Sequence, residues 1–367
     1  MRRSNLHPLL LLALGGALSL LTILNFLVSF HWQQRQNPIY GFRDGQNLVN
    51  SKEWAEASTF NTSSYRRRSL SEIAGSDQAL SCSDGLIARQ DNNIRLPSGT
   101  RQSPPFTKIP RIIHQTSKSR CLAKSIFKLT ERWQFDDWEY YLHDDEAIER
   151  LFAQEAVHFP LLPQISRHCL VHGTLKADLW RYLVLWVYGG IYTDLDTAPN
   201  AFVPDSTISP QDDALFVVEQ YHMLSQYFMA VTPRHPLMWY AIQRALQNLW
   251  DLADTGKVGA AMVTGPHTLH RAFIDFRYDA GFRTDPAGVG YKPVSAGHYV
   301  GSLNYTVAVI GVGENQNEYI HRDLLGMQKK TVAYEKMNMR HFQQDKKFPT
   351  GRSCLSTLLE QSYMPPK

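Results

Sequence analysis

The segment Gly173 to Asn200, GTLKADLWRYLVLWVYGGIYTDLDTAPN, constrains the fold more than any other part of the chain. From Leu175 to Tyr188 nearly every residue is aliphatic or aromatic, which predicts a helix buried on most sides. Asp178 and Arg181 nevertheless lie inside it at i and i+3, where they share a face and can neutralise each other. Gly189 and Gly190 end the helix, the first suited to a left-handed C′ position, and Ile191 to Leu195 reads as a short strand. On that strand Asp194 and Asp196, two residues apart, are expected on one face. Converging carboxylates repel unless a cation, a strong donor or a proton lies between them. Oxygen-only ligands suit Mn²⁺ or Mg²⁺, with coordination positions left open for water or phosphate. An Asp-X-Asp triplet also occurs on solvated surface strands, but the buried Asp/Arg pair, the Gly-Gly turn and the flanking aromatics favour the metal reading.

The elements around this block alternate. Lys108 to His114 and Trp138 to His143 read as strands, and Asp144 to Glu155 as a helix whose acidic first turn suits the dipole. Ala214 to Glu219 and Tyr227 to Val231 follow as strands. Pro236 then opens a helix towards Leu252, with Met238, Ala241, Ile242, Ala245, Leu249 and Leu252 in a stripe. The pattern predicts an α/β fold with a mixed central sheet wrapped by helices, an architecture whose ligands collect beyond the carboxyl ends of the strands.

Residues 8 to 30 carry no charge, and a helix of that length, rising about 1.5 Å per residue, can cross a hydrocarbon core about 30 Å thick. Arg2 and Arg3 precede the span, so the expected topology is type II: a cytoplasmic tail (1–7), a transmembrane signal anchor (8–30) and a lumenal remainder. Residues 31–106 lack sustained apolar periodicity and read as a stem, residues 107–345 as the globular domain and 346–367 as a C-terminal tail. The basic balance belongs to the first 111 residues, with 13 Lys/Arg against 7 Asp/Glu; the rest holds 25 against 27. Arg66-Arg67-Arg68 is the one basic run and has no aromatic interleaving, so no nucleic-acid partner is expected. Cys82, Cys121, Cys169 and Cys354 have no zinc-ribbon or Cys-X-X-Cys spacing and allow three pairings as two disulfides. Asn61 and Asn304 stand in glycosylation sequons.

The run Lys176-Ala177-Asp178, Arg181-Tyr182, Tyr188-Gly189-Gly190-Ile191-Tyr192, Asp194-Leu195-Asp196 resembles the core motif of glycosyltransferase family 32, the DXD sugar-binding family, which includes fungal α-mannosyltransferases. Ile109 to Gln115 is similar to the family's opening strand and Thr264-Gly265-Pro266 to its later loop. The resemblance implies a GT-A-type nucleotide-sugar-binding fold and a retaining, metal-dependent glycosyltransferase of the Golgi membrane. It assigns Asp178 and Arg181 to the donor sugar, and His114, Gln115, Thr116, Tyr192, Thr264, Gly265 and Pro266 to the donor's surroundings. Asp194 and Asp196 would be metal ligands. Fungal members carry a histidine followed by Gly-Ser-Trp near the C-terminus. This chain has Met339-Arg340-His341-Phe342-Gln343-Gln344 and no such element, leaving His341 as the candidate third ligand.

The expected donor is GDP-mannose and the acceptor a glycan or inositol-phosphoceramide glycolipid, with UDP-galactose or UDP-N-acetylglucosamine as alternative donors for an α-1,4 transfer. Two other classes share part of the pattern. Asp194-Leu195-Asp196-Thr197 partly resembles the opening motif of haloacid-dehalogenase-type phosphatases, but it lies mid-chain and the Thr comes one residue early. A membrane-tethered carbohydrate-binding protein without catalysis is the third reading; donor hydrolysis separates all three.

Overall fold

The computed structural model describes residues 67–75, 80–91, 107–159, 162–170, 173–218, 222–251, 259–278, 293–311, 325–327 and 331–339. The expected span 8–30, Asn61, His341, Cys354 and the tail 346–367 lie outside these residues. No helix among the described residues is long and apolar enough to cross a membrane.

In chain order the first elements are α1 (Leu70–Ala74), β1 (Leu86–Ala88), β2 (Ile112–Thr116), β3 (Cys121–Ala123), α2 (Lys124–Glu131), β4 (Glu139–His143), α3 (Asp145–Glu155) and α4 (Leu162–His168). Next come α5 (Gly173–Tyr188), β5 (Gly190–Thr193), β6 (Thr197–Pro199), α6 (Pro204–Thr207), β7 (Ala214–Val218), β8 (Leu224–Val231) and α7 (Pro236–Asp251). The last are α8 (Ala260–Val263), α9 (Pro266–Tyr278), β9 (Gly297–Val300), β10 (Thr306–Ile310), β11 (Leu325–Met327) and α10 (Thr331–Lys336).

Seven strands form one mixed sheet in the order β4-β2-β5-β8-β7-β10-β9, as the alternation predicts. β4, β2 and β5 run parallel. β8 runs against both of its neighbours, β5 and β7, while β10 is parallel to β7 and antiparallel to β9. The carboxyl ends of β2 and β5 therefore meet the amino end of β8 at one edge. β5, β7 and β8 are buried along their whole lengths, the condition in which strands lose the alternation of a half-exposed sheet.

Helix α5 is buried continuously from Asp178 to Tyr188. Its end needs both glycines. Gly189 and Gly190 hold φ of 67° and 99°, where side chains are strained. A Cβ on Gly189 would also lie 2.6 Å from Pro233 Cδ, and one on Gly190 2.5 Å from the Ile112 carbonyl oxygen. The pair lets the helix pass directly into β5 against β2. In α7 the expected stripe from Met238 to Leu249 is buried; Leu252 lies outside the described residues. Asp144 caps α3 by accepting from the Ala147 N–H at 2.9 Å.

Some boundaries differ from the sequence reading. β2 starts at Ile112 rather than Lys108, because Pro110 offers no N–H and its carbonyl turns the chain by accepting from Ile112 at 2.8 Å. β8 begins at Leu224, three residues before the expected Tyr227. A domain start at residue 107 is too late. Ser69 and Glu72 form a capping box on α1, and the Tyr188 hydroxyl donates to the Arg68 carbonyl at 2.8 Å. β1 pairs with β3, and Cys82 is disulfide-bonded to Cys121. Residues 67–75 and 80–91 thus pack on the domain, ordered by caps and a crosslink that apolar periodicity does not register. Cys169 is disulfide-bonded as well, and Asn304 is exposed in a short 3₁₀ turn.

Candidate functional site

β5 ends at Thr193, so Asp194 and Asp196 are not strand neighbours as the spacing suggested. They lie on a turn just beyond the strand, closed by the Thr197 N–H donating to the Asp194 carbonyl at 3.1 Å. The turn, and not β alternation, brings them together. Its backbone is held from two sides. The Asp194 N–H donates to the Tyr227 carbonyl at 3.0 Å, and Gln115 Nε2 donates to the Asp194 carbonyl at 3.1 Å. Gln115 is itself fixed by the Tyr140 hydroxyl, 2.8 Å from its Oε1.

Beneath the turn lies the buried pair of α5. Arg181 Nη2 is 3.1 Å from Asp178 Oδ1, as the i, i+3 spacing predicts, and Arg181 Nη1 reaches Asp194 Oδ1 at 3.3 Å and the Gln226 carbonyl at 3.1 Å. The guanidinium sits over the Tyr192 ring, 4.6 Å from its centroid, and the Tyr192 hydroxyl donates to Asp194 Oδ1 at 2.6 Å. Thr264 Oγ1 donates to the other Asp178 oxygen at 2.9 Å. Asp194 is the outward member: its side chain is 31% exposed, against 4% for Asp178 and 9% for Arg181.

One guanidinium is therefore in contact with two carboxyl groups, with Asp196 a third acid within reach of its charge. Burial pushes Asp178 up to about 6, even though Arg181 and the Thr264 hydroxyl favour its charged form. Asp196 is raised well above the usual carboxylate range, first by burial and then by the charge of Asp194. Arg181 is held in its charged form despite burial, through Tyr192, Asp194 and Asp178. A site with surplus negative charge and one carboxylate open to solvent fits a divalent cation, and its donors are the hard oxygens that Mn²⁺ and Mg²⁺ prefer. Among the described residues no group of three or more His, Cys, Asp or Glu side chains forms a complete metal cage. Asp194 and Asp196 are the two candidate ligands among the described residues.

The remaining residues read from the sequence fall into two sets. Tyr192, Gln115 and Thr264 join the network just described. Thr116 Oγ1 donates to the His143 carbonyl at 3.1 Å, at the carboxyl end of β2. Gly265 and Pro266 lead into α9, and a Cβ on Gly265 would lie 2.5 Å from Ala261 Cα. His114 is different. It is fully buried, with Nε2 2.9 Å from the Gly189 carbonyl and Nδ1 3.2 Å from His143 Nε2. A carbonyl only accepts, so Nε2 carries the proton and Nδ1 accepts from His143. Burial lowers His114 to about 4, leaving a neutral ring that braces the end of α5 and has no face open to a nucleotide.

Three contributors were missed. Gln226 Nε2 bridges the Tyr182 hydroxyl at 2.7 Å and the Thr264 carbonyl at 3.1 Å, while that hydroxyl donates to the Thr264 carbonyl at 2.9 Å. Gln226 lies with Ser225 in a strand buried along its whole length, just before the Tyr227 at which the sequence reading began it. Tyr140 left no signal. Tyr334, on α10, donates to Asp196 from far along the chain.

Residues 114–215 match the family model described as glycosyltransferase sugar-binding region containing DXD motif. An initiation-specific alpha-1,6-mannosyltransferase of Schizosaccharomyces pombe is 27% identical over 198 residues, 47% of this chain and 50% of that protein. Inositol phosphoceramide mannosyltransferase 1 of the same organism is 31% identical over 147 residues, 37% of this chain and 42% of that protein. The chain spans half or less of the length of these relatives. Among solved structures, the PaToxG glycosyltransferase overlaps 47% of this chain and 70% of its own with a TM-score of 0.36 and 17% identity, too loosely to define a common fold. The matched residues 114–215 hold Asp178, Arg181, Asp194 and Asp196, so all four acids and bases of the site lie in the stretch that is similar to the DXD-containing glycosyltransferase sugar-binding region.

Proposed function

We propose that this protein is a GT-A-type, metal-dependent retaining glycosyltransferase that moves a hexose, mannose from GDP-mannose being the favoured donor, onto a glycan or an inositol-phosphoceramide head group. The observation that carries this reading is the shared guanidinium: Arg181 ties the buried Asp178 to the outward Asp194 across 3.1 and 3.3 Å, in a segment matched by the DXD family. Similarity to an initiation-specific alpha-1,6-mannosyltransferase and to an inositol phosphoceramide mannosyltransferase supports the choice of donor and acceptors. The apolar segment 8–30 supports a membrane-anchored, lumenal setting, and the resemblance to the fungal family supports the Golgi; both are part of the proposal.

Asp194 and Asp196 would hold the divalent cation, Mn²⁺ or Mg²⁺, which when bound neutralises the charge that collects on a departing nucleoside diphosphate. The chain's own residues do the rest. Arg181 and Tyr192 fix the Asp194 carboxylate, so its orientation is set before a ligand arrives. Asp178 compensates the guanidinium and, with it, is assigned to the hydroxyls of the donor sugar. Thr264 couples the Thr264-Gly265-Pro266 loop to Asp178, so that movement of that loop is felt at the buried pair.

The deciding experiment is a panel of nucleotide sugars offered to the protein with and without Mn²⁺, reading release of the nucleoside diphosphate. GDP release from GDP-mannose that requires the metal is the expected result. Cleavage of simple phosphomonoesters, or turnover of no nucleotide sugar at all, would overturn the reading.

A further inference from the structure

The matched segment ends at residue 215, yet the acid turn is also built from the chain's last described residues. β11 pairs antiparallel with β6, the strand that leaves the turn, with Met327 opposite Thr197, Gly326 opposite Ala198 and Leu325 opposite Pro199. α10 follows, and its Ala333 and Tyr334, with Met337 just beyond, are buried in the same cluster as Leu195 and Ala198. The segment is then tied down on its far side. Ser117 Oγ donates to Met339 Sδ at 3.3 Å, and Lys118 Nζ to the Asn338 carbonyl at 3.2 Å. This packing aims the Tyr334 phenol at Asp196, to which it donates a hydrogen bond.

Asp196 needs such a partner. Arg181 is committed to Asp178 and Asp194, and the Tyr192 hydroxyl to Asp194, so the inner acids have donors that Asp196 does not share. The Tyr334 phenol and a backbone N–H both favour its charged form by hydrogen bonding. A carboxylate on a turn can rotate about χ1 and χ2; a phenol fixed by strand pairing and core packing at its base stops that rotation and leaves the second carboxylate oxygen for another ligand.

We propose that Tyr334 is a positioning residue that orients Asp196 towards the bound divalent cation, so that β11 and α10 complete a site whose acids come from the DXD turn. The proposal rests on the metal-site reading given above and extends it to a residue outside the matched family segment. Partners that orient metal ligands in this way typically contribute about 10- to 100-fold to metal affinity.

The test is Mn²⁺ binding to the full chain, without donor, followed by loss of the free-ion electron paramagnetic resonance signal and by calorimetric titration. Tyr334→Phe deletes one oxygen and keeps the ring in its pocket. It should weaken Mn²⁺ binding by about 10- to 100-fold while the circular dichroism spectrum is kept. Turnover at saturating Mn²⁺ should recover much more than turnover at limiting Mn²⁺. Met339→Leu, which removes only the sulfur that accepts from Ser117 and keeps the apolar packing of the segment, should leave the Mn²⁺ constant unchanged. Equal Mn²⁺ affinity in Tyr334→Phe and the unaltered protein overturns the role of Tyr334 and leaves the site standing, as does equal weakening in Met339→Leu. If the unaltered protein takes up no Mn²⁺, the metal site itself falls, and the role of Tyr334 with it.

Discussion

Arg181 and Arg244 each lie beside a buried aspartate, and the two arrangements have opposite designs. Arg244, on α7, grips Asp275, on α9, with a two-pronged fork: Nε to Oδ2 at 2.6 Å and Nη2 to Oδ1 at 2.9 Å. The charge of Arg271 also favours ionised Asp275, so cations outnumber the anion. That pair is closed and fastens two helices. Arg181 instead spreads single contacts over Asp178, Asp194 and the Gln226 carbonyl, with Asp196 adding a third acid nearby. A structural ion pair satisfies its own charge; a site that awaits a cation does not. The lesson is that burial and pairing alone do not mark function, whereas an unbalanced set of charges with one member open to solvent does.

The largest expected effect would break or confirm that contrast at once. Asp194→Asn and Asp196→Asn should each lower nucleoside diphosphate release by about 10²- to 10³-fold, the scale seen when a preorganised electrostatic group is removed. Thermal unfolding of Asp196→Asn in the absence of metal should not suffer, since the change removes a buried charge that Asp194 repels. Asp275→Asn, by contrast, should cost stability and leave turnover per folded molecule intact. Full turnover in a folded Asp194→Asn or Asp196→Asn protein would place the chemistry elsewhere.

The second effect is in stability, and it separates the pairs by what they tolerate. Arg244→Ala and Arg181→Ala should both cost about 3–5 kcal/mol in chemical unfolding, because each strands a buried carboxylate. Replacing both partners with apolar residues should recover most of that loss in either case. Arg244→Met with Asp275→Leu should then retain activity, and Arg181→Met with Asp178→Leu should have none. If the second double variant turns over normally, Arg181 is another closed structural pair and the comparison fails.

Much of this site was legible in the sequence, and the parts that were not have physical reasons. The Asp178/Arg181 pair followed from helical periodicity, and the Gly189-Gly190 break from the φ that only glycine accepts freely. Both depend on neighbours in sequence. The placement of Asp194 and Asp196 on a turn did not follow, since that turn is held by Tyr227 and Gln115 from β8 and β2, contacts set by sheet order. Tyr334 was invisible for the same reason, more than a hundred residues from the acid it touches. His114 shows the converse: a histidine at the end of an apolar strand suggests a ligand, and only the carbonyl of Gly189 and the ring of His143 reveal it as a brace.

Gln226 offers an intermediate test. Gln226→Leu removes the bridge between the Tyr182 hydroxyl and the Thr264 carbonyl while the main-chain carbonyl that receives Arg181 stays in place. Leaving those buried groups short of a partner should cost about 1–3 kcal/mol in chemical unfolding. Because the Thr264 loop then loses one of its ties to α5, turnover should fall by more than stability alone explains. The equivalent loss of a tie at the closed pair would leave turnover untouched.

The smallest expected effect is a shift in pH dependence. Asp178 has a folded-state value of about 6 against an ordinary 3.8, so the native state binds its proton more readily than the unfolded chain. Its contribution to stability is fully present below pH 3.8 and is lost as pH rises through about 6. Thermal midpoints of the metal-free protein should fall across that window relative to Asp178→Asn, in which the group no longer titrates. The Thr264 hydroxyl favours the charged carboxylate, so Thr264→Val should push Asp178 further up and extend the loss to higher pH. Asp275 is also raised by burial, but neither variant touches it, so its titration should not move. A Thr264→Val protein whose pH profile overlays that of the unaltered chain would mean that the Thr264 loop and the buried pair are not coupled. Arg181 would then be poised by its carboxylates alone.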